Sequence, residues 1–403
     1  MNSMNKWILA VIVVLIASGC QEPTKFSKHQ EDAQKRWSDA RASVVLRVAE
    51  NRLASGSLDD AEKAAAQAIQ LDPDSQEARI VMARVLIEKC RFTEAAGILN
   101  RACQAQPQDA KAAYYLGVAQ EKSGHLEESL DTYRRAYGLD ESDLSPIKAS
   151  AEVLVALGRE RAALLQIESY LPKAPDDAGM FELAGRLALM CKEHDKAVEY
   201  LQRVRDMDFQ NVRYGELLAR AQHAAGRHAQ LVDNLTELLG RKNYEAPTWV
   251  YLMLGDAYLA QGQGRNAFNA YFTASEREPK QVEIWLSLSR AALAMNDFPR
   301  AAGSAQRALM LEARDVNAQL LLGCALLKDS QPARAVLVLT GAAADHPEDP
   351  TVRCLLGRAH VAMGQRDQAA KCYAEALRLD PGSELARQLI QASIDGEDLS
   401  KVR

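Results

Sequence analysis

Two periods are superimposed on the apolar and polar positions of this chain. Within windows of about a dozen residues the apolar positions recur at helical spacing, and from Ala42 onward the whole pattern returns every 34 residues. Units start at Ala42, Gln76, Ala110, Leu144, Ala178, Val212, Thr248, Val282, Val316 and Pro350, every step being 34 except the sixth, which is 36. Ten units therefore run from 42 to 383. Numbered from 1 within a unit, position 8 is always small: Ala49, Ala83, Gly117, Ala151, Gly185, Ala219, Gly255, Ser289, Gly323 and Gly357. Position 20 is nearly always alanine, with Ser129 and Leu231 as departures, and position 27 is alanine in seven of the ten units. Small residues at these places let two helices approach closely. Position 32 is proline at Pro73, Pro107, Pro175, Pro279, Pro347 and Pro381, ending one helix and setting the turn into the next. Gly56, Gly124, Gly158, Gly226, Gly262 and Gly364 break many units midway. Each unit is predicted to be helix, turn, helix.

A single hydrophobic core rarely grows beyond about 300 residues, so a chain of 403 residues, 48% apolar and 26% charged, either divides or repeats. This one repeats. The pattern resembles the tetratricopeptide repeat, whose signature is carried by Leu254, Gly255, Tyr258, Ala267, Tyr271, Ala274 and Pro279 in one unit, and by Leu356, Gly357, Ala369, Tyr373, Ala376 and Pro381 in another. The resemblance implies an all-α fold, a right-handed superhelical solenoid of about ten helix-turn-helix repeats. Glu384 to Ile394, within the tail 384–403, reads as a closing helix that shields the last repeat.

The start of the chain reads as an address. Lys6 precedes an apolar run of eleven residues, Trp7 to Ala17, and small residues lead to Cys20. Eleven residues fall short of the roughly 20 needed to span a bilayer, so residues 1–19 are expected to be a cleaved secretory signal. Ile16-Ala17-Ser18-Gly19-Cys20 resembles a bacterial lipobox, with Ala17 where leucine is more usual. That resemblance implies lipidation of Cys20, which becomes the first residue of a 384-residue mature chain with net charge -6, and Gln21 after it implies delivery to the outer membrane. The expected location is the cell envelope, lipid-anchored on the outer membrane and facing the periplasm. Residues 20–41 would follow as the anchored cysteine with a tether or leading helix.

Charge and motifs narrow the function. Lys plus Arg number 49 against 54 for Asp plus Glu, with no basic run, which argues against nucleic acid as a partner. The six cysteines after Cys20 are too sparse for a disulfide framework and lack C-x-x-C spacing, while His223 and His228 are five apart across a predicted turn. Neither metal nor cofactor is expected. G-x-x-x-x-G-K-[ST], H-E-x-x-H and G-x-S-x-G motifs do not occur, and the repeats leave no room for a catalytic domain, so the chain is not expected to be an enzyme.

The resemblance implies that positions 2, 5, 9 and 12 of each first helix line a concave groove that takes a protein or peptide partner. Position 9 holds Arg84, Arg186, Arg220, Arg290 and Arg358, and a spaced row of planar guanidinium forks suits an acidic or extended peptide. Glu182 lies four residues before Arg186 and Glu216 four before Arg220, so intrahelical pairing is the alternative for those two. Tyr114 and Trp249, at positions 5 and 2, are the candidate aromatic anchors, Arg213 adds a further cation, and Trp285 is expected in the core. The family's clamp for a C-terminal carboxylate is absent: Lys148 is the only lysine at position 5, and Glu152 follows it at position 9. Cys324 and Cys354 could pair across the groove or serve as small apolar packing. The two extra residues near 243–247 could kink the array or form a simple loop insertion.

The expected function is that of a non-catalytic, membrane-anchored scaffold, similar to lipoproteins of pilus or secretin assembly or of polysaccharide export. An adaptor that gathers cell-wall hydrolases is the second reading. A polysaccharide-binding module is the third, disfavoured because Trp249 and Tyr114 are too few and too far apart in sequence to form a platform.

Overall fold

The structure, a computed structural model, describes residues 25–382, 384 and 387–389. The expected signal segment and the lipidation site Cys20 lie outside the described residues. Among the described residues twenty α-helices follow one another in ten pairs. They are α1 (Lys25–Ala54), α2 (Leu58–Leu71), α3 (Gln76–Glu88), α4 (Phe92–Ala105), α5 (Ala110–Lys122), α6 (Leu126–Leu139), α7 (Ser145–Ala156), α8 (Glu160–Tyr170) and α9 (Ala178–Met190), then α10 (His194–Met207), α11 (Val212–Ala224), α12 (His228–Leu239), α13 (Thr248–Ala260), α14 (Gly264–Arg277), α15 (Val282–Ala294), α16 (Phe298–Leu311), α17 (Val316–Lys328), α18 (Pro332–Asp345), α19 (Pro350–Ala362) and α20 (Arg366–Leu379). Odd-numbered helices are the first of each repeat. The chain is an all-α solenoid of paired helices, as the 34-residue period predicts, and its first helices from α3 on start within one residue of the predicted unit starts. α1 is longer than the others because residues 25–41 continue the first helix of repeat one.

Local chemistry sets each boundary. Ser75, Asp109, Asp177, Asp315 and Asp349, each the last residue of a unit, accept a hydrogen bond from the backbone N–H two or three residues into the following helix. The turn inside each repeat needs one residue with positive φ, and all ten repeats supply it at position 15. Six use glycine, while Cys90, Lys192, Asn296 and Ser330 adopt φ of 57–60° at a steric cost.

Two compact units divide the chain, one ending at Cys191 and one starting at Lys192. In the first, consecutive first helices α1, α3, α5 and α7 pack directly on one another; in the second, α13, α15, α17 and α19 do the same. Second helices pack mainly on first helices, so first helices form the inner layer of each unit. α11 approaches α13 less closely, because the extra residues of repeat six lie in the connection 240–247 between α12 and α13.

Packing within a repeat matches small to large. A Cβ placed on Gly117 would sit 2.7 Å from the ring of Tyr133, and Tyr271 and Tyr373 likewise occupy the space that Gly255 and Gly357 leave open. All three tyrosines are fully buried. Where position 8 is Ala83, the opposing residue is the smaller Leu99, and where it is Ser289 it is Ala305. Repeats are also tied by charge: Lys89 reaches Asp59 at 2.6 Å and Glu62 at 2.7 Å, Arg159 reaches Glu127 at 2.7 Å, and Arg227 reaches Asp195 at 2.8 Å. Exposed pairs of this kind add at most about 1 kcal/mol each, so apolar burial carries the stability. At the C-terminal end Leu389 is fully buried against Tyr373 and Ala376. Among the described residues no helix is long and apolar enough to cross a membrane.

Candidate partner-binding faces of the first helices

In the first unit, α1, α3 and α5 present Glu50, Arg84 and Val118 at equivalent positions, one per repeat. They line an open cavity of about 580 Å³, shared with Leu53, Ile87, Glu88, Tyr114 and Tyr115. The guanidinium of Arg84 lies 5.3 Å from the ring centroid of Tyr115, and Tyr114 meets Tyr115 edge to face at 5.2 Å. Behind them Tyr133 packs 5.8 Å from Tyr114 and donates its hydroxyl to Glu121 at 2.8 Å, in the space opened by Gly117. Burial pushes the Tyr114 hydroxyl pKa upward, so it remains a neutral donor throughout the neutral range. Tyr114 is half-buried. Arg186 on α9 is exposed and forms no ion pair among the described residues, so the alternative pairing with Glu182 is not made. Lys148 is bound to Asp177 at 3.1 Å, tying α7 to the cap of α9.

The second unit places Arg220, Trp249, Arg290 and Arg358 on its first helices. Arg220 does not pair with Glu216. Its guanidinium stacks 4.9 Å from the Trp249 ring, and Glu216 accepts instead from the Tyr244 hydroxyl at 2.8 Å. Beside this pair, His223 Nε2 lies 3.6 Å from Asp256 Oδ2, and Asp256 accepts from Tyr271 at 2.5 Å. The hydrogen bond to Asp256 raises the His223 pKa against the opposing effect of burial. For Asp256 burial acts upward, but hydrogen bonds from His223 and Tyr271 outweigh it and its pKa falls. Arg290 is bound at 3.0 Å to Glu283, two turns back on its own helix, which removes it from the set of open cations. Arg358 is half-buried without an ion pair among the described residues, while Arg213 is exposed at the start of α11 and is already engaged. Cys324 and Cys354 are free thiols whose pKa values burial raises, and they pack as small apolar groups. Trp285 packs half-buried against the core, its indole N–H donating to the Pro279 carbonyl at 2.9 Å.

Sequence reading missed Tyr115, Tyr244 and Asp256 as partners of the groove residues. Tyr115 adjoins Tyr114 at a position read as neither groove nor core, and Tyr244 lies in the connection outside the period. Among the described residues no group of three or more His, Cys, Asp or Glu side chains is placed to hold a metal ion.

Tetratricopeptide-repeat models match residues 52–120 and 326–393, and 252–318 and 286–350, together just over half of the chain. No curated protein matches the sequence. Among solved structures, the anaphase-promoting-complex hetero-tetramer Cut9-Hcn1 is 16% identical, with 88% of this chain and 76% of that chain covered and a TM-score of 0.41. MamA MSR-1 C2 is 18% identical over 42% of this chain and 97% of its own, with a TM-score of 0.37. TTC0263, a thermophilic repeat protein of Thermus thermophilus, is 20% identical over 46% and 99%, also at 0.37. At this level none of them bears on function.

Proposed function

The chain belongs to the tetratricopeptide-repeat family, and from that premise we propose that it is a non-catalytic scaffold holding a protein partner against the first helices of its repeats, anchored in the cell envelope through a lipid on Cys20. The observation that carries this reading is that Arg84 and Arg220 sit on aromatic rings of the inner layer, while Arg186 and Arg358 have no ion pair among the described residues. Guanidinium groups held in place but not neutralised keep donors for an incoming chain. Repeats occupy positions 42 to 379 of the described chain, so binding rather than catalysis is what this architecture offers. The connection 240–247 would serve as a hinge between α12 and α13.

The envelope role most in keeping with a lipid-anchored solenoid is assembly of a pilus, a secretin or a polysaccharide export complex. Photo-cross-linkers placed on first helices and on second helices, followed by capture from the membrane fraction and mass spectrometry, test this directly. Cross-links from first helices to a stoichiometric assembly component support the scaffold, and capture of several cell-wall hydrolases would replace it with the adaptor reading. Cross-links confined to second helices would overturn the groove. Arg186→Glu with Arg220→Glu is expected to weaken capture about tenfold without loss of helix content, and Cys20→Ser to release the chain from the membrane fraction.

A further inference from the structure

The row of arginines suggests an anionic ligand, but the cavity between α1, α3 and α5 has the opposite sign. Arg84 is the only cation among its lining residues, and its guanidinium is turned onto the Tyr115 ring. Glu50 and Glu88 line the same cavity, and neither carboxylate has an ion pair among the described residues. Elsewhere in this unit the carboxylates that join consecutive repeats are matched: Glu62 to Lys89 and Arg91, Glu127 to Arg159, Asp177 to Lys148. What sets Glu50 and Glu88 apart is their place, two carboxylates without an ion pair among the described residues lining one cavity. Leu53, Ile87 and the half-buried Tyr114 line the same cavity and give it an apolar wall. A volume of about 580 Å³ exceeds what one side chain fills and falls in the range of ligand pockets.

Resting on the reading of these first helices as the docking face, we propose that this cavity takes a lysine or arginine side chain of the partner together with an apolar neighbour. The aliphatic stem would lie on Leu53, Ile87 and Tyr114, as amphipathic cations lie on apolar surface, with the charged head between Glu50 and Glu88. The guanidinium of Arg84, stacked on Tyr115 in the cavity lining, would repel a second cation, which limits the pocket to one basic residue. The first unit thus selects a basic residue flanked by apolar ones.

The probes that test this are fluorescein-labelled nonapeptides of alanine and leucine, blocked at both ends, with a single central Lys, Arg, Gln or Glu. Anisotropy is measured on the full chain held in detergent. The Lys and Arg peptides are expected to bind about tenfold more tightly than the Gln peptide, with the Glu peptide weakest, and Glu50→Gln with Glu88→Gln should remove the preference. Glu128→Gln on the exposed side of α6 should leave it intact. Should the double variant lose helix content, the wild-type chain still decides the matter, since the preference must collapse in 1 M salt, where charges are screened within about 3 Å. Equal or tighter binding of the Gln or Glu peptides, or a preference that survives the double variant or high salt, overturns the pocket. A partner that cross-links to α3 or α5 yet is captured equally by the double variant overturns the cation pocket and leaves the scaffold reading standing.

Discussion

At the residue scale, three repeats of this solenoid depend on size matching between positions 8 and 24. Glycine faces tyrosine at Gly117, Gly255 and Gly357, where a single methyl group would collide with the ring, whereas Ala83 faces a leucine. Gly117→Ala is therefore expected to destabilise the chain by about 1–3 kcal/mol through overpacking. Adding Tyr133→Leu to that variant recreates the alanine–leucine pair already present in repeat two. A double-mutant cycle by urea denaturation should return a coupling of about 1 kcal/mol or more, and strict additivity would show that the ring is not the obstacle. The same reasoning explains why three buried tyrosines, among the largest fully buried side chains, are accommodated in repeats of constant length.

At the element scale the junction of α11 and α13 differs from the others. First helices elsewhere in the second unit pack directly, but here the insertion at 240–247 leaves the contact to side chains: Arg220 on Trp249, and His223 on Asp256 at 3.6 Å. The folded-state pKa of His223 is raised above the ordinary 6.5, so its bridge contributes fully below pH 6.5 and is lost as the pH rises through the folded value. Because the pair is partly exposed, the contribution is at most about 1 kcal/mol. The gap in thermal midpoint between the wild-type chain and His223→Gln should be largest near pH 6 and close as the pH rises above 6.5. A gap that stays constant from pH 6 to pH 9 would show that the bridge does not form.

At the scale of the whole molecule, stability is a sum of repeat terms and nearest-neighbour terms, so a terminal repeat lacks one neighbour. Leu389, fully buried on Tyr373 and Ala376, takes the place of that neighbour at the C-terminal end. Leu389→Ala should cost about 2–5 kcal/mol, felt by α19 and α20. Hydrogen exchange should accelerate in residues 350–379 and remain unchanged in 248–294, while uniform acceleration would mean that the array melts as one block.

What the chain determined by itself was everything that repeats: ten helix pairs, their starts, the small residues at the interfaces and the turns at position 15. These depend on neighbours a few residues away, and a 34-residue period displays most of them ten times, although glycine marks the turn in only six units. That Tyr114 and Trp249 lie on first helices was also legible from the period. Only the tertiary structure decided how each charge is used. Arg220 turned to Trp249 and away from Glu216, Arg290 was taken by Glu283, and Glu50 and Glu88 were left open beside an occupied Arg84. The physical reason is that a charged side chain chooses among several partners within reach, many of them about 30 residues away on the next repeat. Position in the period fixes which face a residue occupies, but the choice of partner depends on distances of a few ångström that only the packed helices set.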